Sequence, residues 1–217
     1  MGTDIHSIVQ INVGDRWEYI GSGPTDDVGD LILQDRNYNL FSILAGVRNG
    51  FGFAGYAIAS PVVPIAEPRG LPHPIGSLPF NQPIDGLFGD HSFSWLTLKE
   101  LDSFPWDESR MRIGVIPASE YDKFIEDNED RSRSPDRWSG GVDGPNITTL
   151  EEVDFLFYRR TNNLLTKREI YVRVNWVQPH TVICHRFHSF VLPWMRRLAV
   201  DHCCSSSNIR LVFGFDS

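Results

Sequence analysis

Cysteine, long apolar runs and positive charge are all scarce in this chain of 217 residues. Its three cysteines, Cys184, Cys203 and Cys204, are odd in number and two of them are adjacent, which is a poor basis for a disulfide framework. Reduced thiols and a cytoplasmic location are therefore expected. No apolar run approaches the roughly 18 residues of a membrane span, and residues 1–6 do not resemble a secretory signal, so no membrane association is predicted.

Basic residues are outnumbered by acidic ones. Lys and Arg total 20, Asp and Glu total 28, and the formal net charge is -8. A protein that binds nucleic acid in general neutralises phosphates with an excess of Lys and Arg, so this class is excluded. A small phosphate-bearing ligand remains compatible, because it needs only a local basic pocket.

Several familiar catalytic motifs are also missing. The chain has no P-loop, no dinucleotide-binding G-x-G-x-x-G in a strand–helix context, no H-E-x-x-H, no G-x-S-x-G and no calcium-binding loop. The repeated His-x-Ser/Thr of two-histidine phosphodiesterases is absent as well. Any active site must therefore be assembled from scattered polar residues.

The hydrophobic pattern predicts an α+β fold in a single domain that spans residues 1–217. We expect a mixed, mostly antiparallel sheet of five or six strands with helices on one face. The strands are predicted at 4–13, 16–20, 112–117, 146–150, 167–177 and 209–215. The helices are predicted at 36–45, 95–101, 117–126, from 151, and at 180–199 with a kink at Pro193. A turn at Gly14 and Asp15 is expected to join the first two strands into a hairpin. Asp35 is the expected cap of the helix at 36–45 and Gly46 its expected end, and Thr97 and Glu100 have the spacing of a capping box.

Two segments differ in composition from the rest. Residues 50–89 hold seven of the 14 prolines and many glycines, which rules out a continuous helix. Because apolar residues are frequent there, we expect an ordered loop that packs over a site. Residues 127–145 are charged and then rich in Gly and Pro, and they are interpreted as a surface excursion.

The first candidate site is on the first strand, where Asp4 and His6 share one face. A carboxylate beside an imidazole is suited to general acid–base catalysis or to binding a metal ion. The alternative is an Asp at the edge of a strand next to an exposed His. The sequence does not decide between them.

A second candidate follows the Pro-rich segment, in GDHSFSW at 89–95. His91 is suited to proton donation, Asp90 to orienting it, and Ser92 to binding a phosphate oxygen. Trp95 offers a stacking surface. The alternative is that Ser and Asp cap a helix and the tryptophan belongs to the core.

The third candidate flanks the first helix. Arg36 and Arg48 carry guanidinium groups that can bind a phosphate or carboxylate through two hydrogen bonds, and Asn37 and Asn49 follow them directly. Gly50 begins a glycine-rich turn where backbone amides can approach a ligand. The alternative is a plain turn with surface ion pairs.

The remaining cluster is His180, Cys184 and His188, spaced four residues apart. On a straight helix the three span about 12 Å, which is too far for one metal ion. We interpret them as a half-buried structural face, and a two-ligand site from Cys184 and His188 stays open. The adjacent pair Cys203 and Cys204 is interpreted as inert.

Four blocks resemble a largely uncharacterised family of phage and prophage proteins. They are MGTDIH at 1–6, RNYNLF at 36–41 leading to VRNG at 47–50, GDHSFSWLTL at 89–98, and IRLVFGFD at 209–216. The family usually has Cys at the third position, where this chain has Thr3, so no thiol role is carried over. The resemblance implies that the polar blocks meet in one pocket and that the protein acts in the host cytoplasm. It brings together Asp4, His6, Arg36, Asn37, Arg48, Asp90 and His91.

These residues favour a phosphodiesterase-like hydrolase that acts on a nucleotide, such as a cyclic nucleotide immune signal of the host. His6 and His91 would be acid and base, Asp4 and Asp90 would orient them, and Arg36 would hold the phosphate with Arg48. A divalent metal bound by the two His–Asp pairs is left open, as is oligomerisation. The alternatives are a protein that sequesters the nucleotide intact, and an inhibitor that contacts a host protein through the acidic segment 120–136.

Overall fold

A computed structural model gives the architecture of the chain. It describes residues 2–21, 36–79, 84, 86–129, 131–144, 146–148 and 170–217. The strands are β1 (Asp4–Val13), β2 (Arg16–Gly21), β3 (His91–Thr97), β4 (Ser109–Pro117), β5 (Ile147–Thr148), β6 (Tyr171–Pro179) and β7 (Ile209–Asp216). The helices are α1 (Tyr38–Ala45), α2 (Leu98–Ser103), α3 (Tyr121–Glu126), α4 (His180–Ile183) and α5 (Leu192–Asp201). The predicted α+β class is confirmed.

The described strands form two sheets, whereas the sequence predicted one. The first sheet has the order β2-β1-β7-β3 and the second has the order β4-β6-β5. Every pairing is antiparallel except that of β5 with β6. The chain divides into two compact units, the first made of Met1–Asn49, Pro61–Glu108 and His180–Ser217, the second of Gly50–Ser60 and Ser109–Pro179.

The first unit begins with the predicted hairpin of β1 and β2. Gly14 and Asp15 connect the strands and both have positive φ, +55° and +66°. Positive φ at both central residues is the geometry of a type I′ turn, whose twist matches that of a hairpin. The register pairs Val13 with Arg16 across this turn.

Helix α1 packs on one face of the first sheet. Asn37 caps its start by accepting hydrogen bonds from the backbone N–H groups of Asn39 and Leu40, and Gly46 ends it with φ +69°. The expected cap, Asp35, lies outside the described residues. The ring of Phe41 meets that of Phe215 on β7 edge to face, with 5.1 Å between centroids.

Residues 71–78 of the Pro-rich segment cover the opposite face of this sheet, whereas residues 50–60 of the segment belong to the second unit. Side chains of Leu71, Ile75 and Leu78 pack on the buried Ile8 of β1 and Val212 of β7. Residues 80–83 and 85 lie outside the described residues.

Strand β3 corrects one prediction. Trp95 was expected to begin a helix, but His91–Thr97 is a strand and the helix begins only at Leu98. The predicted capping box is present, because the Thr97 hydroxyl accepts from the N–H of Glu100 while the Glu100 carboxylate accepts from that of Thr97.

The helix predicted at 180–199 is divided into three pieces. Helix α4 covers His180–Ile183, a π-helical turn covers Phe187–Val191, and α5 runs from Leu192 to Asp201. Pro193 is the second residue of α5 and follows the π-helical turn directly. The π turn, rather than a simple kink at the proline, interrupts the helix.

The second unit is built around β4 and β6. Its core holds Ile116, Val174 and Trp176, with Phe124 of α3 packed on them. Strand β5 covers Ile147–Thr148 in the part of the chain that the structure describes. Residues 149–150 of that predicted strand, residues 167–169 of the next one and the helix predicted from residue 151 lie outside the described residues. Among the helices that the structure describes, none has the length and apolar character needed to cross a membrane.

Candidate functional site

The pairing of β1 with β7 brings a histidine and two carboxylates together in the first unit. Asp4 lies opposite Asp216 and His6 lies opposite Gly214, so Asp4, His6 and Asp216 share one face of the sheet. The His6 Nε2 atom lies 2.9 Å from Asp216 Oδ2. His6 keeps 35% of its side chain exposed and Asp216 keeps 44%, so both are accessible to a ligand.

This contact assigns a role to each nitrogen of the His6 ring. A carboxylate can only accept, so Nε2 donates to Asp216, and Nδ1 is the nitrogen that can take up a proton when the ring is neutral. The other oxygen of Asp216 accepts from the backbone N–H of Asp4 at 3.2 Å. Asp216 thus orients His6 in the way that a carboxylate orients a catalytic base.

Arg36 extends the cluster. Its Nε donates to Asp4 Oδ1 at 2.6 Å and its Nη2 donates to Asp4 Oδ2 at 2.8 Å, which makes a two-bond ion pair. The hydrogen bonds from Arg36 hold the pKa of Asp4 below its ordinary value. Arg36 remains 59% exposed, so its guanidinium can still meet a ligand. We call Asp4, His6, Arg36 and Asp216 the β1–β7 cluster.

Arg48 contacts Thr3, the residue that precedes Asp4 in the chain. Its Nε donates to the Thr3 hydroxyl at 3.0 Å, and its guanidinium carbon lies 5.7 Å from the centre of the Tyr38 ring. Arg48 has φ +54°, a conformation that side chains rarely adopt. Such strain is often found at functional sites.

His91 is on the other face of the sheet. It pairs with Phe215, and the two rings are stacked with 6.0 Å between centroids. Phe215 and Gly214 are consecutive on β7, so their side-chain directions are opposite, and β7 separates His91 from His6. The structure therefore does not place the two histidines face to face as the acid and base of one site.

The groups around His91 form a separate set. Its ring nitrogens contact the Ser92 hydroxyl at 2.9 Å and the Ser217 hydroxyl at 3.0 Å. Ser92 has φ +52° where the register of β3 shifts. Asp90 is exposed, and its backbone N–H donates to the carbonyl of Phe215.

The remaining predicted ligand-binding residues contact the protein itself. Asn37 caps α1 and donates to the carbonyl of Ile183, and Asn49 both donates to and accepts from the backbone of Val62. Trp95 lies under the guanidinium of Arg69, 5.0 Å from its carbon. These contacts give Asn37, Asn49 and Trp95 a structural role in the fold.

His180, Cys184 and His188 pack within the first unit, as the structural interpretation expects. Cys184 is buried, and the rings of His180 and His188 lie 5.3 Å from Phe104 and 5.9 Å from Trp106. Within the described part of the chain, no three His, Cys, Asp or Glu side chains are grouped closely enough to hold a metal ion. The described residues thus give no support to a metal ion bound by the two predicted His–Asp pairs, Asp4 with His6 and Asp90 with His91.

Sequence reasoning missed Asp216 and Arg210. Asp216 was not predicted as a site residue, because its partner His6 is 210 residues away in the sequence and no local pattern connects them. Arg210 interrupts the apolar pattern of the last strand, which was the available signal. It is 3% exposed and donates to Gln10 Oε1 and to the carbonyls of Pro74 and Ile75.

The fold and the cluster together define an α+β protein with an exposed His–carboxylate pair and an arginine at one end of a four-stranded sheet. Scans of protein-family models, of curated proteins and of solved structures found no match to this chain.

Proposed function

We propose that the protein is a phosphodiesterase-like hydrolase of a small nucleotide, with the β1–β7 cluster as its active site. The observation that carries the proposal is the 2.9 Å contact between His6 and Asp216 beside the exposed Arg36. A histidine oriented by a carboxylate next to a guanidinium combines a proton carrier with a phosphate-binding group.

One histidine is enough for the reaction if its ring acts first as the base and then as the acid. His6 Nδ1 takes a proton from water, and the water oxygen attacks phosphorus. The bond from phosphorus to the leaving oxygen then breaks, and the imidazolium returns the proton to that oxygen. Asp216 stabilises the imidazolium in between, and Arg36 balances charge on the phosphate oxygens. This scheme replaces the pairing of His6 with His91, which are on opposite faces of the sheet.

A panel of cyclic nucleotides, incubated with the protein with and without divalent metal ions, tests the proposal. We expect one member to be consumed, and His6→Asn to slow its consumption by about 10²-fold or more, the usual contribution of a general base. His91→Asn is the matched control and should retain activity. If no nucleotide is consumed, or if both variants lose activity equally, this proposal is wrong.

Sequestration of an intact nucleotide is the second candidate. It is favoured by the separation of His6 from His91 on opposite faces of the sheet, since binding alone needs no proton transfer. Denaturing the complex would release an unchanged nucleotide, and Arg36→Gln would weaken its binding while His6→Asn would have little effect. Recovery of a cleaved product contradicts this candidate.

A further inference from the structure

The second unit contains a cavity that the proposed function does not use. It has a volume of about 240 Å³ and lies between one side of α3 and the loop 133–137. Its floor is apolar and is formed by Ile116, Phe124 and Pro135. At about 30 Å³ per water molecule, the space equals roughly eight waters, which is smaller than the pockets that enclose drug-sized ligands.

The wall formed by the loop is held in place by a buried amide. Asn128 is 4% exposed, and its side chain donates to the carbonyl of Arg133 and accepts from the N–H of the same residue. Just before this wall, the backbone carbonyl of Arg131 accepts a hydrogen bond from the N–H of Val177 on β6. The cavity is therefore a built feature and not a gap between loose side chains.

Charges of both signs line the cavity. Segment 120–129 on the helix side has five acidic residues and one lysine, and segment 131–137 on the loop side has three arginines and one aspartate. Glu120 and Asp127 reach the cavity from the helix side, while Arg133 and Arg137 reach it from the loop side. Lys123 and Asp136 also line it and pair with each other at 3.1 Å. The cavity therefore offers both cationic and anionic groups to a ligand that carries both charges.

The charged groups at the mouth are available to a ligand. Arg137 pairs with Glu120 at 3.3 Å, and Arg133 pairs with Asp136 at 3.4 Å, but the two arginine side chains are 77% and 64% exposed. Exposed ion pairs contribute little to stability because water screens them. They can open and pair again with a bound molecule at low cost.

We infer that this cavity binds a small apolar zwitterion, of the class of a free α-amino acid with an aliphatic or aromatic side chain. The side chain would lie on Phe124 and Ile116. The carboxylate would accept from Arg133 and Arg137, which can each offer two parallel hydrogen bonds. The ammonium group would face Asp127. This site is separate from the β1–β7 cluster and uses none of its residues.

Calorimetric titration of the full chain with L-phenylalanine and L-leucine tests the inference. We expect saturable binding at one site with a Kd of about 1 mM or tighter for at least one of them. N-acetyl-L-phenylalanine lacks the ammonium charge and phenethylamine lacks the carboxylate, and each should bind at least about tenfold more weakly than phenylalanine.

Two exposed variants locate the site. Arg137→Gln and Asp127→Asn should each weaken binding about tenfold. Arg197→Gln and Asp107→Asn, which are exposed positions of the first unit, are the matched controls and should bind as the unchanged chain does. The inference is overturned if neither amino acid saturates at about 10 mM, if a truncated probe binds as well as phenylalanine, or if the control variants weaken binding as much as the cavity variants.

Discussion

At the scale of single residues, Asp4 connects the parts of the β1–β7 cluster. Its carboxylate accepts both hydrogen bonds from Arg36, and its backbone N–H donates to the carboxylate that orients His6. A substitution of Arg36 should therefore change the pKa of Asp4. The pKa of Asp4 thus reports whether the Arg36–Asp4 ion pair forms in solution.

The pKa of Asp4 should rise when Arg36 is replaced. Arg36 lowers this pKa below its ordinary value of 3.8, so the pair favours the ionised carboxylate in the folded state. Its contribution to stability is present above the ordinary value and is lost as the pH falls through the lowered pKa. An NMR titration of the Asp4 carboxyl carbon should show the lowered value in the unchanged chain and a value near the ordinary one in Arg36→Gln.

Arg16→Gln is the control for this titration, because Arg16 is an exposed arginine on β2 at the far end of β1. It should leave the Asp4 titration unchanged. Identical titrations for Arg36→Gln and the unchanged chain would show that the ion pair does not form in solution.

The residues of the cluster differ in how far the sequence could predict them. Asp4 and His6 share a face of a regular strand, and the alternation of β1 shows this directly. Asp216 joins them only through the register of β7 on β1. His91 lies on the opposite face because the register of β3 on β7 pairs it with Phe215. Pairing between distant strands is not encoded in any local pattern, which is why these two placements could not be predicted.

At the scale of elements, the junction of β3 with α2 depends on Thr97 and Glu100. The capping box satisfies N–H groups that the first turn of the helix leaves without partners. Arg69 adds an ion pair to Glu100, and together with Thr97 it keeps the pKa of Glu100 low, although burial alone would raise it. The junction thus attaches the Pro-rich loop to the start of α2.

Thr97→Ala should destabilise the protein by about 1 kcal/mol, the usual cost of removing a cap. The reason is that the N–H of Glu100 loses its acceptor, which in this structure is the threonine hydroxyl at 3.2 Å. Urea unfolding measures the difference. Lys99→Ala, at an exposed position of the same helix, is the control and should change the stability by less than about half as much. Equal effects of the two substitutions would contradict a capping role.

Local signals predicted the caps and turns better than the strand that precedes them. Gly14, Gly46 and Thr97 were recognised because each residue type suits a particular backbone geometry or cap. Strand β3 was missed because its last residues, 95–97, were assigned to the helix that follows, although Ser92 and Ser94 alternate with Phe93 and Trp95 as in a strand. Its extended form depends on the neighbouring β7, which supplies the hydrogen bonds.

At the scale of the whole molecule, distant parts of the first unit meet at Arg210. Strand β7 brings Arg210 beside Gln10 of β1, and the loop at 74–75 lies over both. The guanidinium carbon is 3.9 Å from the centre of the Trp17 ring. Burial lowers the pKa of Arg210 to about 10, which still leaves the side chain charged at neutral pH. Composition predicted an ordered loop, but the buried arginine that attaches it is a long-range feature.

Arg210→Met should release this loop from the sheet. The substitution keeps an apolar chain of similar length but removes the donors to Pro74 and Gln10, and each hydrogen bond from a charged group is worth about 1.5–3 kcal/mol. Hydrogen exchange followed by mass spectrometry should show faster exchange over residues 70–78, including the N–H of Ser77, which donates to the carbonyl of Trp17. Exchange in β4 and β6 of the second unit is the internal reference and should not change. Arg197→Met, at an exposed position of α5, controls for the loss of a positive charge. If exchange at 70–78 is the same in both variants, the arginine does not hold the loop. The hydrogen bonds from Gln10 to the carbonyls of Ile75 and Ser77, together with the apolar contacts on Ile8 and Val212, then hold it.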